Sequence, residues 1–70
     1  MENLGETIKA LRQEKGLTQP QLAKLIGVSN GIISIWENNI NEPKATYIKR
    51  LSLVLDVSAD DLLGLTEKRQ

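Results

Sequence analysis

Apolar residues recur along this chain at intervals of three and four, the spacing of one face of an α-helix. Leu4, Ile8 and Leu11 follow this spacing near the start, and Gly16 ends the stretch. The pattern resumes four times between turn signals, which predicts five short helices. The first three end at about Glu14, Ile26 and Glu37. The apolar face of the fourth is formed by Ile48, Leu51, Val54 and Leu55. The fifth starts with Ser58-Ala59-Asp60-Asp61, is expected to bury Leu62 and Leu63, and stops at Gly64.

Polar residues at the helix starts support these boundaries. Asn3-Leu4-Gly5-Glu6 and Thr18-Gln19-Pro20-Gln21 have the form of capping boxes, in which an N-cap side chain and the side chain three residues later satisfy free backbone N–H groups. Ser29 is expected to cap the third helix by accepting a hydrogen bond from its first turn. Pro43 ends the turn-rich loop 38–43, because it restricts the residue before it to extended shapes.

The second and third helices form the most informative segment, TQPQLAKLIGVSNGIISIWE, residues 18–37. Gly27 lies just past the second helix, where a left-handed backbone costs least without a Cβ. One apolar side is shared by the two helices and their turn: Leu22, Ala23, Ile26, Val28, Ile33 and Trp36. This predicts a helix-turn-helix; the alternative is an ordinary helical hairpin that binds no partner molecule.

Length and composition favour one small domain. The chain has 70 residues, 40% of them hydrophobic and few aromatic, so it can bury one modest core. We expect a domain over residues 1–65 and a disordered tail over 66–70. The absence of cysteine, of a long apolar run and of an apolar signal region predicts a cytoplasmic protein without a membrane span.

The chain lacks the two residue types that serve most often as general base and as strong nucleophile, histidine and cysteine. The chain has no His, no Cys and one Tyr, and its Gly-containing turns lack the lysine and the spacing of a phosphate loop. Asp60 and Asp61 are explained by capping of the fifth helix. The sequence therefore predicts no enzyme activity, no metal, no cofactor and no small-molecule ligand.

The segment LRQEKGLTQPQLAKLIGVSNGIISIWENN, followed by EP and LSLVLDVSADDLLG, resembles the Cro and lambda-repressor-like helix-turn-helix domains, also called the xenobiotic-response-element type. The resemblance covers residues 4–64. It implies an all-α, compact five-helix bundle that binds double-stranded DNA sequence-specifically, with its third helix in the major groove. It also implies a bacterial or phage transcription regulator of the repressor type.

The outward side of the third helix supplies the candidates for base readout: Asn30, Gly31, Ser34 and Ile35. Asn30 is the strongest, because its amide can accept and donate together, as adenine N7 and N6 require; the alternative is a role in the helix cap. An exposed Ile35 suits a thymine methyl or a partner protein, or is a stray surface residue. Gly31 has no side chain, so few hydrogen bonds to base edges are expected and DNA shape should contribute more of the sequence specificity.

Phosphate contacts are expected where the family makes them. The candidates are Thr18, Gln19, Ser29, Asn38, Asn39 and Lys44. In the family the residue matching Gln19 binds a phosphate; the alternative is a polar first-turn residue without a partner. Lys44 opposes the dipole of the fourth helix, and a nearby phosphate or minor groove would offset this cost; the equal alternative is a solvated lysine. Arg12 and Glu37 match a buried structural pair that holds the third helix against the first.

The net charge is zero, with nine basic and nine acidic residues, so we expect weaker non-specific DNA binding than a basic domain shows. A weak homodimer, or a dimer formed on DNA, is expected to use Leu53, Val57 and Leu65. The rival hypothesis is a protein-interaction module of the same fold, such as an antitoxin or an adaptor, which would bind no duplex.

Overall fold

The structure, a computed structural model, describes residues 4–64. This part of the chain contains five helices and no strand: α1 (Leu4–Glu14), α2 (Gln19–Ile26), α3 (Asn30–Glu37), α4 (Ala45–Leu55) and α5 (Ala59–Leu62). The expected all-α, five-helix architecture is confirmed. The predicted cap at Asn3, the domain boundary at residue 65 and the tail 66–70 lie outside the described residues.

The two ends of α2 are held by local hydrogen bonds. The hydroxyl of Thr18 accepts from the N–H of Gln21 at 3.2 Å, and the Gln21 side chain accepts from the N–H of Thr18 at 2.8 Å, so the predicted capping box is present. Gly27 ends the helix with a left-handed φ of 89°. Arg50 of α4 then donates to the carbonyl of Ile26 at 2.9 Å, which satisfies one of the open acceptors at this helix end.

The predicted side-chain cap of α3 is wrong. Ser29 occupies the N-cap position with an extended backbone, but its hydroxyl makes no capping hydrogen bond. Its carbonyl oxygen accepts from the N–H of Ile32 at 3.1 Å instead. The first turn of α3 is therefore closed by a backbone hydrogen bond without a side-chain cap. By contrast, α5 has such a cap, because the hydroxyl of Ser58 accepts from the N–H of Asp61 at 2.9 Å.

The core lies between α1, α2, α3 and the inner face of α4, and α5 closes it. Trp36 packs against Tyr47 of α4 with ring centroids 5.5 Å apart. Leu63 is only half-buried, although it was expected to be buried, because α5 is a single turn that directs Leu62 inward. The buried hydrophobic side chains are Leu4, Ile8, Leu22, Ala23, Ile26, Ile33, Trp36, Ile48, Leu51, Leu55 and Leu62.

A glycine allows the start of α1 to touch the end of α3. The N–H of Gly5 donates to the side-chain oxygen of Asn39 at 3.0 Å. A Cβ at this position would lie 2.7 Å from the carbonyl oxygen of Glu37 and still closer to that of Trp36. Asn39 has a left-handed φ of 59°, a conformation that asparagine tolerates better than most residues.

A buried ion pair joins α1 to α3 nearby. Nε of Arg12 lies 2.6 Å from Oε2 of Glu37, and Nη2 lies 3.1 Å from Oε1. Nη1 donates to the carbonyl of Leu17 at 2.9 Å, just before α2. The hydrogen bonds to Glu37 raise the pKa of Arg12 above its ordinary value, although burial of the guanidinium opposes this. One side chain thus connects α1, the entry to α2 and the last residue of α3.

Replacement of Gly5 by alanine should lower the free energy of unfolding by about 1–3 kcal/mol, because a Cβ would press on backbone carbonyls that cannot rotate away. Chemical denaturation measures this change. Gly31→Ala is a matched control, since Gly31 is also the second residue of its helix but a Cβ there would come no closer than 4.0 Å, to the hydroxyl oxygen of Ser29. That control should be neutral or stabilising by up to about 1 kcal/mol. Equal effects at the two positions would contradict the close approach at Gly5.

Glu37→Ala should destabilise the fold by about 3–5 kcal/mol, because it leaves the buried Arg12 guanidinium without its carboxylate. Thermal and denaturant unfolding measure the loss. Glu14→Ala, at an exposed position of α1, should change stability by no more than about 0.5 kcal/mol. A Glu37→Ala protein as stable as the control would mean that the pair carries no structural weight.

Candidate nucleic-acid interface

The first turn of α3 presents the strongest candidate for base readout. Asn30 and Gly31 are its first two residues, and both are exposed. Asn30 makes no side-chain hydrogen bond within residues 4–64. Its amide is therefore available, as donor and acceptor together, to a group outside the protein.

Ser34 lies one turn further along α3 and is half-buried. The side-chain amide of Asn38 donates to its carbonyl at 2.9 Å and to its hydroxyl oxygen at 3.3 Å. Because the hydroxyl already accepts from Asn38, its own proton remains the group that it can offer to a ligand. Asn38 therefore acts within the protein as a brace on Ser34.

Ile35 differs from the expectation of an exposed side chain, because it is half-buried. Ile32 and Ile35 lie three residues apart on one side of α3, and that side borders Trp36 and Tyr47. Together with Asn41, Glu42 and Lys44 these residues line a cavity of about 360 Å³. Ile32 was not among the predicted site residues, although its i, i+3 spacing to Ile35 is the signal that could have identified it.

The start of α2 meets the end of α3 through Gln19. The side chain of Gln19 is half-buried, and its Nε2 donates to Oε1 of Glu37 at 3.0 Å. Thr18 is exposed, and its hydroxyl is engaged in the capping box. Nothing in the local pattern indicated the contact between Gln19 and Glu37, which are 18 residues apart.

The remaining phosphate candidates differ in how their side chains are held. Asn39 directs its side-chain oxygen back to Gly5, so only its amide nitrogen can serve a ligand. Lys44 occupies the N-cap position of α4, is exposed and makes no side-chain cap there. Ser29 is exposed next to Asn30, and its hydroxyl is not used by the helix.

The surface of α3 is electrically neutral. Glu37 is the single charged residue of this helix, and it is buried against Arg12. The exposed groups are amides, hydroxyls and aliphatic chains, which suit hydrogen bonds and methyl contacts with base edges.

Residues 4–64 hold no group of three or more His, Cys, Asp or Glu that could bind a metal ion. No helix in the same range is long and apolar enough to cross a membrane.

Comparison with known proteins agrees with this geometry. The family described as Helix-turn-helix matches residues 8–62. Repressor protein C2 of Salmonella phage P22 is 42% identical over 60 residues, which are 86% of this chain and 28% of that protein. SinR of Bacillus subtilis is 38% identical over 61 residues, 86% of this chain and 55% of SinR. The chain thus spans about half, or less, of the length of these relatives.

A solved structure of one of these relatives superposes closely. The crystal structure of the P22 c2 repressor in complex with synthetic operator 9T has a TM-score of 0.84 at 40% identity, and covers 89% of this chain and 94% of that chain. The family match itself runs from α1 to α5, so it includes the helix pair α2–α3 and the helices that support it. The chain belongs to the helix-turn-helix family.

Proposed function

We propose that this chain binds double-stranded DNA sequence-specifically by laying α3 in the major groove, and that it regulates transcription. The observation that carries this is the exposed amide of Asn30 at the start of a helix whose other end is anchored by a buried ion pair. The operator held by the related phage repressor supports the same mode of binding.

Base readout falls to Asn30, Gly31, Ser34 and Ile35. Asn30 pairs bidentately with an adenine, whose N7 accepts and whose N6 donates. Gly31 lets the backbone approach the bases, and Ser34 offers its hydroxyl proton. Ile35 contributes the edge of its aliphatic chain to a thymine methyl, while the rest of that chain packs inward. Readout therefore depends on few hydrogen bonds, and DNA shape contributes the rest.

Phosphate contacts position the domain on the duplex. Gln19 and Ser29 offer neutral donors on either side of α2, Thr18 lies beside Gln19, and Lys44 brings a positive charge at the start of α4. Asn39 contributes its side-chain amide nitrogen, which the bond from Gly5 does not use. Asn38 contributes by exchanging one of its bonds to Ser34 for a bond to a phosphate. Since one of these groups is charged, binding should depend on salt less steeply than in a basic domain.

A two-fold dimer that forms on DNA is the proposed assembly. One domain reads about one half-site, which carries too little information for a genome. Leu53 of α4 is 74% exposed, and Val57 lies half-buried after the same helix. Leu65, the third residue expected on this surface, lies outside the described residues. Because this surface is small, we expect mostly monomer in solution.

The preferred site is identified by selecting bound duplexes from a random pool. On that site, Asn30→Ala should cost about 1–3 kcal/mol of binding and relax the preference at one base pair. Gln13→Ala removes an exposed amide from α1 instead and should leave affinity unchanged. A folded Asn30→Ala protein with unaltered site preference would contradict the proposed readout. A pool without any enriched sequence would favour a protein-interaction module.

The assembly is tested with duplexes that carry one or two half-sites about 34 Å apart. The two-site duplex should bind cooperatively and more tightly, while sedimentation of the free protein should give mostly monomer. Leu53→Gln, which removes the apolar surface without changing the net charge, should reduce the cooperativity and leave affinity for the single half-site intact, because Leu53 lies outside the proposed DNA contacts. A tight dimer without DNA, or equal affinity for both duplexes, would overturn the weak-dimer proposal.

A further inference from the structure

Glu37 accepts hydrogen bonds from two sides. Its Oε2 lies 2.6 Å from Nε of Arg12, while its Oε1 accepts from Nη2 of Arg12 at 3.1 Å and from Nε2 of Gln19 at 3.0 Å. The side chain of Glu37 is 3% exposed and that of Arg12 10%. The carboxylate is therefore fixed in the core, and it holds the carboxamide of Gln19 at the border between core and surface.

This contact determines where the Gln19 carboxamide can bind a ligand. The group is planar and Nε2 carries two protons, so one proton on Glu37 sets the direction of the other. The backbone adds one donor in the same turn: Pro20 has no N–H, and that of Gln21 is bound to Thr18. The N–H of Gln19 itself donates to no group in residues 4–64. One residue thus presents a side-chain and a backbone donor together.

Arg12 makes this arrangement compatible with an anion. A carboxylate next to the Gln19 side chain would repel a DNA phosphate if it stood alone. The guanidinium pairs with it through two bonds, so the group that orients Gln19 adds little net negative charge to the site. The same guanidinium donates to the carbonyl of Leu17 at 2.9 Å, which fixes the position of the segment before α2 relative to α3.

We propose that Glu37 is a positioning residue for DNA binding: it orients the Gln19 carboxamide toward a backbone phosphate, with Arg12 neutralising its charge. This rests on the proposed function, in which Gln19 contacts a phosphate. It assigns the buried pair a role in affinity that is separate from its role in holding α3 against α1. Loss of the pair should then weaken binding to all duplexes alike, because phosphates carry no sequence information.

The test removes the pair without leaving a buried charge. Arg12→Met combined with Glu37→Leu exchanges it for apolar side chains of similar size, a change that is often neutral or stabilising. The net charge stays at zero, so the long-range attraction to DNA is held constant. Dissociation constants are measured on the selected site and on scrambled duplexes, for this double variant, for Gln19→Ala and for the triple combination, below their melting temperatures.

The expected result is non-additivity. Gln19→Ala and the double variant should each weaken binding to every duplex by about five- to tenfold, the range for one or two lost hydrogen bonds. Gln19→Ala should add less than about twofold in the double-variant background, because the side chain there no longer has its orienting partner. The cost of Asn30→Ala should be the same in both backgrounds, since Asn30 makes no bond to the pair.

Three outcomes overturn the inference. Additive losses from Gln19→Ala and the double variant would mean that the pair affects binding independently of Gln19, whose phosphate contact would then be intact without it. A cost of Asn30→Ala that collapses in the double variant would mean that the whole of α3 has moved. Unchanged DNA affinity of Gln19→Ala in the native background would show that Gln19 makes no phosphate contact. The effect of Asn30→Ala in the same background tests separately whether α3 reads bases.

Glu37→Asp serves if the double variant fails to fold. It keeps a carboxylate for the long Arg12 side chain but withdraws it by one methylene from Gln19. It should weaken all duplexes to about the same extent as Gln19→Ala and should remain folded. A folded Glu37→Asp protein with native affinity would overturn the proposal.

Discussion

The buried ion pair between Arg12 and Glu37 is the interaction on which the packing of this domain depends. The Arg12 guanidinium is buried, and such a group is tolerated only where its protons are hydrogen-bonded and its charge is paired. Its partners are Glu37, the last residue of α3, and the carbonyl of Leu17 before α2. Because these groups must all come within hydrogen-bond distance, the relative positions of α1, α2 and α3 are closely restricted.

This restriction matters most for α3, because the helix has only eight residues and a neutral outer surface. Its C-terminal end is bound by Glu37 and by the close approach of Gly5 to the following Asn39. Its N-terminal end carries the exposed Asn30 and is held by a backbone hydrogen bond in which the N–H of Ile32 donates to the carbonyl of Ser29. The end that is anchored is thus opposite to the end proposed to read bases.

The sequence was informative where structure depends on neighbouring residues. The Thr18–Gln21 capping box, the left-handed Gly27 and the apolar spacing are local signals, and the helix ends at Glu14, Ile26 and Glu37 followed from them. Contacts between distant residues had no such signal. The bonds from Gln19 to Glu37 and from Gly5 to Asn39 depend on how the helices pack, and so does the half-burial of Ile35. The Ser29 cap failed because a suitable residue type at an N-cap does not determine where its hydroxyl points.

Titration of the ¹⁵N-labelled protein with a duplex that carries one half-site, on which the proposed dimer cannot form, tests the central claim most directly when it is followed through backbone and side-chain amide signals. If α3 is the reading helix and the ion pair holds it in place, the largest changes will fall on residues 30–34, on the Asn30 side-chain amide and on Gln19, with α5 nearly unaffected. Changes centred on α4 and α5 with α3 unaltered would contradict the account.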